Sequence, residues 1–185
     1  YNTTDALIAA TGLVIGSRYT TIGYHTVGDG GGNDLIIQSN AYGTVDGGSV
    51  IQLIGSPLRA QGLFPEGVKF TQFGAVADFG TGNTDNSPML SACLDFTGRI
   101  FFDEGHYLLA TPIVKVMNNI DFEMENSQTT SLVYNGTGLA LDFTSALPVL
   151  QIPRVRFTNF YLRNSLNFAA YAYTFGSYTG SGIKL

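Results

Sequence analysis

Residues 120–125 read Ile-Asp-Phe-Glu-Met-Glu, a strict alternation of apolar and acidic side chains. Successive side chains of a β-strand point to opposite faces, so this stretch predicts a strand with one apolar and one acidic face. The alternation returns at 154–158, and further short strands are predicted at 131–134, 160–163 and 182–185. A spacing of roughly thirty residues predicts stacked coils, each of which buries its inward side chains against its neighbours.

The composition agrees with a β-rich globular protein and excludes several other classes. The 185 residues are 44% hydrophobic and only 12% charged, which is too apolar for a disordered chain and too poorly charged for a coiled coil. The sequence has no uncharged apolar run of about 18 residues, so no membrane-spanning helix is expected. Lys plus Arg number 9 against 14 Asp plus Glu, so a nucleic-acid partner is not expected either.

No metal or other cofactor is predicted from the residues that most often bind one. Cys93 is the single cysteine and lies in an apolar stretch, which predicts a buried, unreactive thiol. His25 and His106 are not spaced as a pair of metal ligands. The loop from Asp78 to Asp85 is rich in oxygen ligands but lacks the ligand spacing of a calcium loop, so turn formation and helix capping are predicted for it.

The first segment, residues 1–66, is predicted to form a small β-rich unit, called here the N-terminal module. A helix is expected from Asp5 to Ala10, because Thr3 or Thr4 can cap its first turn and Gly12 suits the residue that ends it. Aromatic and β-branched residues between turn signals predict strands at 18–25, 34–38 and 49–54.

A glycine cluster interrupts this module at residues 28–32, which read Gly-Asp-Gly-Gly-Gly. A phosphate-binding loop would need a P-loop lysine and a following helix, whereas here a strand is predicted to follow. The cluster is therefore predicted to be a tight turn in which the backbone reaches positive φ.

The second segment, residues 67–185, is predicted to begin with a strand indicated by Val68, Phe70 and Phe73 that ends at Gly74. Further strands are expected at 99–102 and 107–109.

A helix over about residues 86–97 lies between these strands. Asp85 or Asn86 is expected to cap it, and Pro88 falls in its first turn, where a missing amide hydrogen costs nothing. The predicted buried face consists of Met89, Ala92, Cys93 and Phe96.

The second segment resembles the start of a right-handed parallel β-helix of the pectate-lyase-like group. The matching residues are Phe-Gly-Ala at 73–75, Asp78, Thr-Asp at 84–85, the helix that follows, Arg-Ile-Phe-Phe at 99–102 and Glu-Gly-His-Tyr-Leu-Leu at 104–109. The chain departs from the family at Asp103-Glu104, where a turn containing proline is usual, and in a longer loop before Thr84.

The N-terminal module resembles the small module that precedes the β-helix in bacteriophage tailspikes and tail fibres. The resemblance rests on residues 12–16, on residues 21–32 with Gly-Tyr at 23–24 and the glycine cluster, and on residues 46–51. It implies a mainly β protein: a neck or head-proximal module at 1–66, and a helix-capped start of a right-handed parallel β-helix at 67–185. It also implies a homotrimer in the virion tail that contacts other tail or baseplate proteins and, through its later coils, a bacterial surface polysaccharide.

Three functions follow from the resemblance. The first is a structural and attachment module that joins a receptor-binding β-helix to the particle and supports trimer assembly. The second is a polysaccharide depolymerase, hydrolase or lyase, whose active site lies mostly in later coils, so that residues 1–185 would not be active alone. The third is a bacterial β-helix protein, such as a prophage remnant or a secreted pectate-lyase relative. The lack of a signal peptide and of disulfides favours assembly in the bacterial cytoplasm.

The acidic row Asp121, Glu123 and Glu125 supplies the candidate catalytic residues. Residues two apart on a strand lie about 6.5–7 Å from each other on one face, within the roughly 5–10 Å that separates glycosidase carboxylates. The alternative is a solvated outer face whose carboxylates pair with Arg154 and Arg156 on a neighbouring coil.

An aromatic stretch near the end of the sequence supplies the candidate carbohydrate-binding residues, Tyr171, Tyr173 and Tyr178, flanked by Phe168 and Phe175. Their rings are suited to stacking on sugars. The alternative is a contact between the subunits of a trimer.

Overall fold

The computed structural model describes residues 1–116, 119–126, 128–136, 139–144, 154–159, 161–164 and 182–184. Its helices are α1 (Thr4–Ile8), a 3-10 helix (Phe70–Phe73) and α2 (Ser87–Phe96). Its strands are β1 (Arg18–Thr20), β2 (Asp34–Gln38), β3 (Val50–Gln52), β4 (Arg59–Gly62), β5 (Val68–Lys69), β6 (Arg99–Phe102), β7 (Gly105–Leu109), β8 (Ile113–Val116), β9 (Asn119–Met124), β10 (Thr130–Tyr134), β11 (Leu139–Thr144), β12 (Arg154–Thr158), β13 (Leu162–Asn164) and β14 (Gly182–Lys184). Neither α1 nor α2, the α-helices of the described residues, is long and apolar enough to cross a membrane.

Strands β5 to β14 form three parallel sheets that wind into a coil, which confirms the predicted β-helix fold. The sheets have the orders β5-β6-β9-β12, β7-β10-β13 and β8-β11-β14. Each rung therefore contributes one strand to each sheet, as β6, β7 and β8 do in the first rung. The repeat length varies, because Asp121 lies opposite Arg156, 35 residues away, whereas His106 lies opposite Ser131, 25 residues away.

The inside of the coil is filled by the apolar side chains that the alternation predicted. Ile120, Phe122 and Met124 are each at most 1% exposed. Phe122 packs edge-to-face between Phe102 of the rung before and Phe157 of the rung after. The centroid of its ring lies 5.3 Å from that of Phe102 and 5.6 Å from that of Phe157. Edge-to-face contacts of this kind add to the hydrophobic effect, so the aromatic column links successive rungs.

Strands β8 and β11 form the third wall of the coil, and the sequence pattern did not single them out. Both are apolar on their inner side, where Ile113, Leu141 and Phe143 are buried. Their sequences, Ile-Val-Lys-Val at 113–116 and Leu-Ala-Leu-Asp-Phe-Thr at 139–144, do not alternate strictly between apolar and polar residues, which is why the pattern did not predict them.

Residues 68–74 do not form the strand that was predicted. Only Val68–Lys69 pair, and the chain then turns into the 3-10 helix, which ends at Gly74 with a φ of 80°. The side chain of Gln72 accepts a hydrogen bond from the Lys69 amide at 2.9 Å and thereby stabilises the turn. Phe70 and Phe73, three residues apart and therefore on one face of a 3-10 helix, are both buried, and this burial is the physical reason why the strand prediction was wrong here.

Helix α2 lies against the 3-10 helix, β6 and β8, where it covers the first rung. Asn86 occupies the N-cap position but its side chain makes no capping hydrogen bond, whereas the side chain of Asp85 accepts the Ser87 amide at 2.9 Å. The predicted buried face was wrong in its orientation, because Leu90 and Leu94 are buried and Phe96 is 45% exposed.

The thiol of Cys93 is fully buried on α2, as predicted. Burial raises the pKa of this thiol well above its usual value, so it stays protonated and unreactive near neutral pH.

The N-terminal module has an antiparallel sheet of order β1-β2-β4-β3 and a separate cluster of buried side chains that includes Leu7, Leu35, Ile37 and Leu53. Helix α1 begins as predicted, because Thr3 Oγ1 accepts the Ala6 amide at 3.1 Å, but it ends at Ile8.

The strands of this module differ from the prediction, and β3 covers only Val50–Gln52 of the predicted 49–54. β1 stops at Thr20, since the next residue, Thr21, turns inward and bonds to Thr4 and Asn33. Strand β4, Arg59–Gly62, was not predicted, because its sequence Arg-Ala-Gln-Gly has low β-propensity.

Candidate functional site

The acidic row lies on the outer face of the sheet β5-β6-β9-β12. Strand β9 carries Asp121 and Glu123, while the inward side chains between them are buried. The parallel register places Arg99 of β6 and Arg156 of β12 on either side of Asp121. The row therefore lies between two arginines, one from each neighbouring rung.

Asp121 is held by a bidentate ion pair with Arg156. The Nε of Arg156 donates to Asp121 Oδ1 at 2.8 Å, and Nη2 donates to Oδ2 at 2.6 Å. On the other side, Arg99 lies 3.8 Å from Asp121 and 3.9 Å from Glu123, with its guanidinium 4.8 Å above the ring of Phe101. The hydrogen bonds and the charge of Asp121 raise the pKa of Arg156 above its ordinary value.

Glu125 is the first residue after β9 and does not continue the strand. It is exposed, and its Oε2 accepts the amide hydrogen of Glu104 at 3.2 Å. It therefore anchors the turn between β6 and β7 rather than extending the row.

This arrangement is an ion-pair ladder that joins three rungs. A general acid of a glycosidase needs burial or like-charge crowding to stay protonated, whereas an adjacent guanidinium favours the ionised carboxylate. Of the two alternatives left open for the row, pairing with an arginine of the next coil is observed at Asp121 and Arg156. The side chain of Arg154 is not described.

We expect Asp121→Asn to lower the free energy of unfolding by less than about 1 kcal/mol, because partly exposed ion pairs contribute little. The side chains of Asp121 and Arg156 are 24% and 47% exposed. Urea unfolding at low salt measures the effect, with Arg156→Gln as the matched variant. A loss above about 2 kcal/mol from Asp121→Asn would mean that the ladder stabilises the coil far more than exposed pairs do.

The candidate carbohydrate-binding residues Tyr171, Tyr173 and Tyr178 lie outside the described residues. Within the described part of the chain, no three His, Cys, Asp or Glu side chains form a group that could hold a metal ion.

In the 78–85 loop, Asp78 accepts the amide and hydroxyl of Thr84 at 2.8 and 2.7 Å, and Asp85 accepts the Ala110 amide at 2.9 Å. The loop carboxylates thus serve the turn and the helix start.

A second polar cluster lies beneath this loop, and the sequence did not predict it. His106 Nδ1 is 2.9 Å from Ser131 Oγ, and the guanidinium of Arg163 lies 5.3 Å from the ring of Phe79. Burial, followed by the charge of Arg163, lowers the pKa of His106. Ser131 is fully buried, so this Ser–His pair is closed to substrates and ties adjacent rungs together.

The third cluster is a polar joint between the N-terminal module and the 3-10 helix. The side chain of Asn33 donates to the Gln72 carbonyl at 3.1 Å, and the side chain of Gln72 donates to the Gly32 carbonyl at 3.0 Å. His25 adds a contact to the Gly74 carbonyl at 3.0 Å. No local signal marks these residues as partners, because they lie about forty residues apart in sequence.

The glycine cluster is part of this joint. Gly28 and Gly30 have positive φ, as the turn prediction required. Gly31 has a different role, because a Cβ there would lie 2.4 Å from the Thr71 carbonyl oxygen and 2.6 Å from Tyr24 Cβ. The cluster therefore lets the two backbones approach more closely than any side chain would allow.

No protein-family model and no curated protein sequence matches the chain. Solved structures do match it. The tailspike protein of an Acinetobacter phage has a TM-score of 0.64 at 15% identity, covering 89% of this chain and 29% of that one. The enzymatically active domain of tailspike protein 2 from bacteriophage CBA120 has a TM-score of 0.57 at 18% identity, with coverages of 77% and 20%.

A bacterial protein has a comparable likeness. WceF of Pantoea stewartii, a glycan biofilm modifying enzyme with a tailspike-like parallel β-helix fold, has a TM-score of 0.56 at 18% identity. It is matched over 89% of this chain and 27% of its own length. The chain thus has the parallel β-helix fold of tailspike proteins and spans between 20% and 29% of the length of these three structures.

Proposed function

We propose that the chain is the N-terminal part of a phage tailspike or tail fibre, with residues 1–66 as the neck module and residues 67–185 as the helix-capped first coils. In this role it joins a receptor-binding β-helix to other tail or baseplate proteins of the virion. The observation that carries the proposal is the joint itself, in which the N-terminal module contacts the turn that starts the coil through His25, Asn33 and Gln72. A module held in this way would fix the orientation of the β-helix relative to the particle.

The proposal includes a homotrimer whose later coils bind a bacterial surface polysaccharide. Two of the similar structures are phage tailspikes, which supports this assignment. The N-terminal module also has exposed apolar side chains, among them Val14, Ile22 and Ile54, each more than half exposed. A contact with another chain at these positions would remove their apolar surface from water.

The intact mass and oligomeric state of the parent gene product test this proposal. Light scattering coupled to size-exclusion chromatography should find a trimer of a chain much longer than 185 residues. A parent protein that is monomeric in the particle-free state and no longer than this chain would contradict the proposal.

The alternative is a polysaccharide depolymerase with an active site within these residues. Two similar structures favour it, since one is described as enzymatically active and another as a glycan biofilm modifying enzyme. The candidate acids and bases remain Asp121, Glu123 and Glu125.

We expect the chain alone to release no reducing ends from bacterial capsule or lipopolysaccharide, and Glu123→Gln/Glu125→Gln to leave the depolymerase activity of the parent unchanged. The reason is that both carboxylates have structural partners on the coil: Glu123 lies 3.9 Å from the guanidinium of Arg99, and Glu125 accepts the Glu104 amide. A reducing-end assay on both proteins measures this. Reducing ends released by the chain alone, together with their loss in the double variant, would favour the alternative.

A further inference from the structure

The ring of His25 lies between two hydrogen-bond acceptors from different parts of the chain. Nδ1 is 2.8 Å from the Asp5 carboxylate of α1, and Nε2 is 3.0 Å from the backbone carbonyl of Gly74, at the end of the 3-10 helix. A carboxylate and a carbonyl can only accept, so both ring nitrogens must carry hydrogens for both bonds to form. Only the imidazolium satisfies this geometry, because neutral histidine has a single N–H.

We propose that His25 is a protonation-dependent clamp that fastens the N-terminal module to the first turn of the β-helix. When the ring loses a proton, it can keep its bond to Asp5 or its bond to Gly74, but not both. The clamp goes beyond the proposed function. It concerns how the N-terminal module is attached to the β-helix, and this attachment does not depend on the activity of the parent protein.

The charges around the ring favour the clamped form. Asp5 faces it from α1, and Asp29 faces it from its own loop, where its carboxylate accepts the His25 amide at 2.8 Å. On the side of the 3-10 helix the contact is the Gly74 carbonyl, while Lys69 at the start of that helix is bound to Asp103 at 2.7 Å. The ring of Tyr24 covers one side of the His25 ring, with the two ring centroids 4.7 Å apart. The phenol of Tyr24 donates to the Gly47 carbonyl.

These contacts give the direction of the pH effect. Partial burial lowers the pKa of His25, but the hydrogen bonds to Gly74 and Asp5 and the two carboxylate charges outweigh burial and raise it above its ordinary value. A raised pKa in the folded state stabilises the joint fully below the unfolded pKa of about 6.5. This stabilisation is lost as the pH rises through the higher folded pKa.

Hydrogen–deuterium exchange on the whole chain, corrected for intrinsic rates, tests the clamp between about pH 5.5 and about pH 9. In the wild type, opening of the peptides that cover residues 20–33 and 70–75 should increase roughly fivefold across this range, the size of one net hydrogen bond. His25→Gln should show the high-pH level of opening throughout. Asp5→Asn should move the transition to lower pH, because it removes the nearest carboxylate.

His106→Gln is the matched control, since it changes the other histidine and should keep the wild-type transition at the joint. An identical pH dependence in wild type and His25→Gln would overturn the clamp. The same holds if nuclear magnetic resonance finds His25 with one bare nitrogen at a pH where the joint stays protected. This second measurement needs no variant, so it applies even if His25→Gln does not fold.

Discussion

Replacing Phe122 by alanine is expected to lower the free energy of unfolding by about 4 kcal/mol, because the change removes a large buried ring and leaves a cavity. Phe122 is fully buried, and its ring contacts those of Phe102, Phe143 and Phe157. The cavity would open in the column that connects successive rungs, where the strands on either side are held in parallel register and cannot easily collapse into it.

Urea unfolding monitored by circular dichroism measures this loss, with Phe101→Ala as the matched control. Phe101 is the same residue type on the adjacent strand of the same sheet, but it points outward beneath the guanidinium of Arg99. Its replacement should cost about 1 kcal/mol, since little apolar area returns to water. Equal losses from the two variants would show that the aromatic column is not what holds the rungs together.

Replacing Gly31 by alanine is expected to cost about 3 kcal/mol and to open the joint between the N-terminal module and the coil. The new Cβ would lie 2.4 Å from the Thr71 carbonyl oxygen and 2.6 Å from Tyr24 Cβ, so backbone on one side or the other must move. Overpacking of this kind usually costs about 1–3 kcal/mol, and a rigid backbone neighbour places the change at the upper end of that range.

Gly28→Ala separates this steric effect from the effect of backbone conformation. Gly28 has a φ of 84°, and no atom lies within 4 Å of the position that a Cβ would take, so alanine there incurs only the left-handed strain of about 1–2 kcal/mol. Urea unfolding gives the cost of each change, and hydrogen exchange of residues 70–75 reports the joint. If Gly31→Ala leaves this exchange as slow as in the wild type, the glycine cluster does not act as a contact surface.

The candidate site was predictable to the extent that strand periodicity determines it. The period of two placed Asp121 and Glu123 on one face, and the basic alternation at 154–158 pointed to Arg156 as a partner. Arg99, the second partner, was not predicted, because its position beside Asp121 depends on how many residues the first rung uses to close. That number is set by turns and by the packing of three walls, which no local pattern encodes.

The sequence by itself was sufficient for the β-rich class, the inward and outward faces of β9 and the start of α2, because each depends on side-chain alternation or on capping by neighbouring residues. The tertiary structure alone decided the 3-10 helix at 70–73, the buried face of α2 and the contact of His25 with Gly74, 49 residues away. These features arise where two separately folded surfaces meet, and the free energy of that contact outweighs local preference.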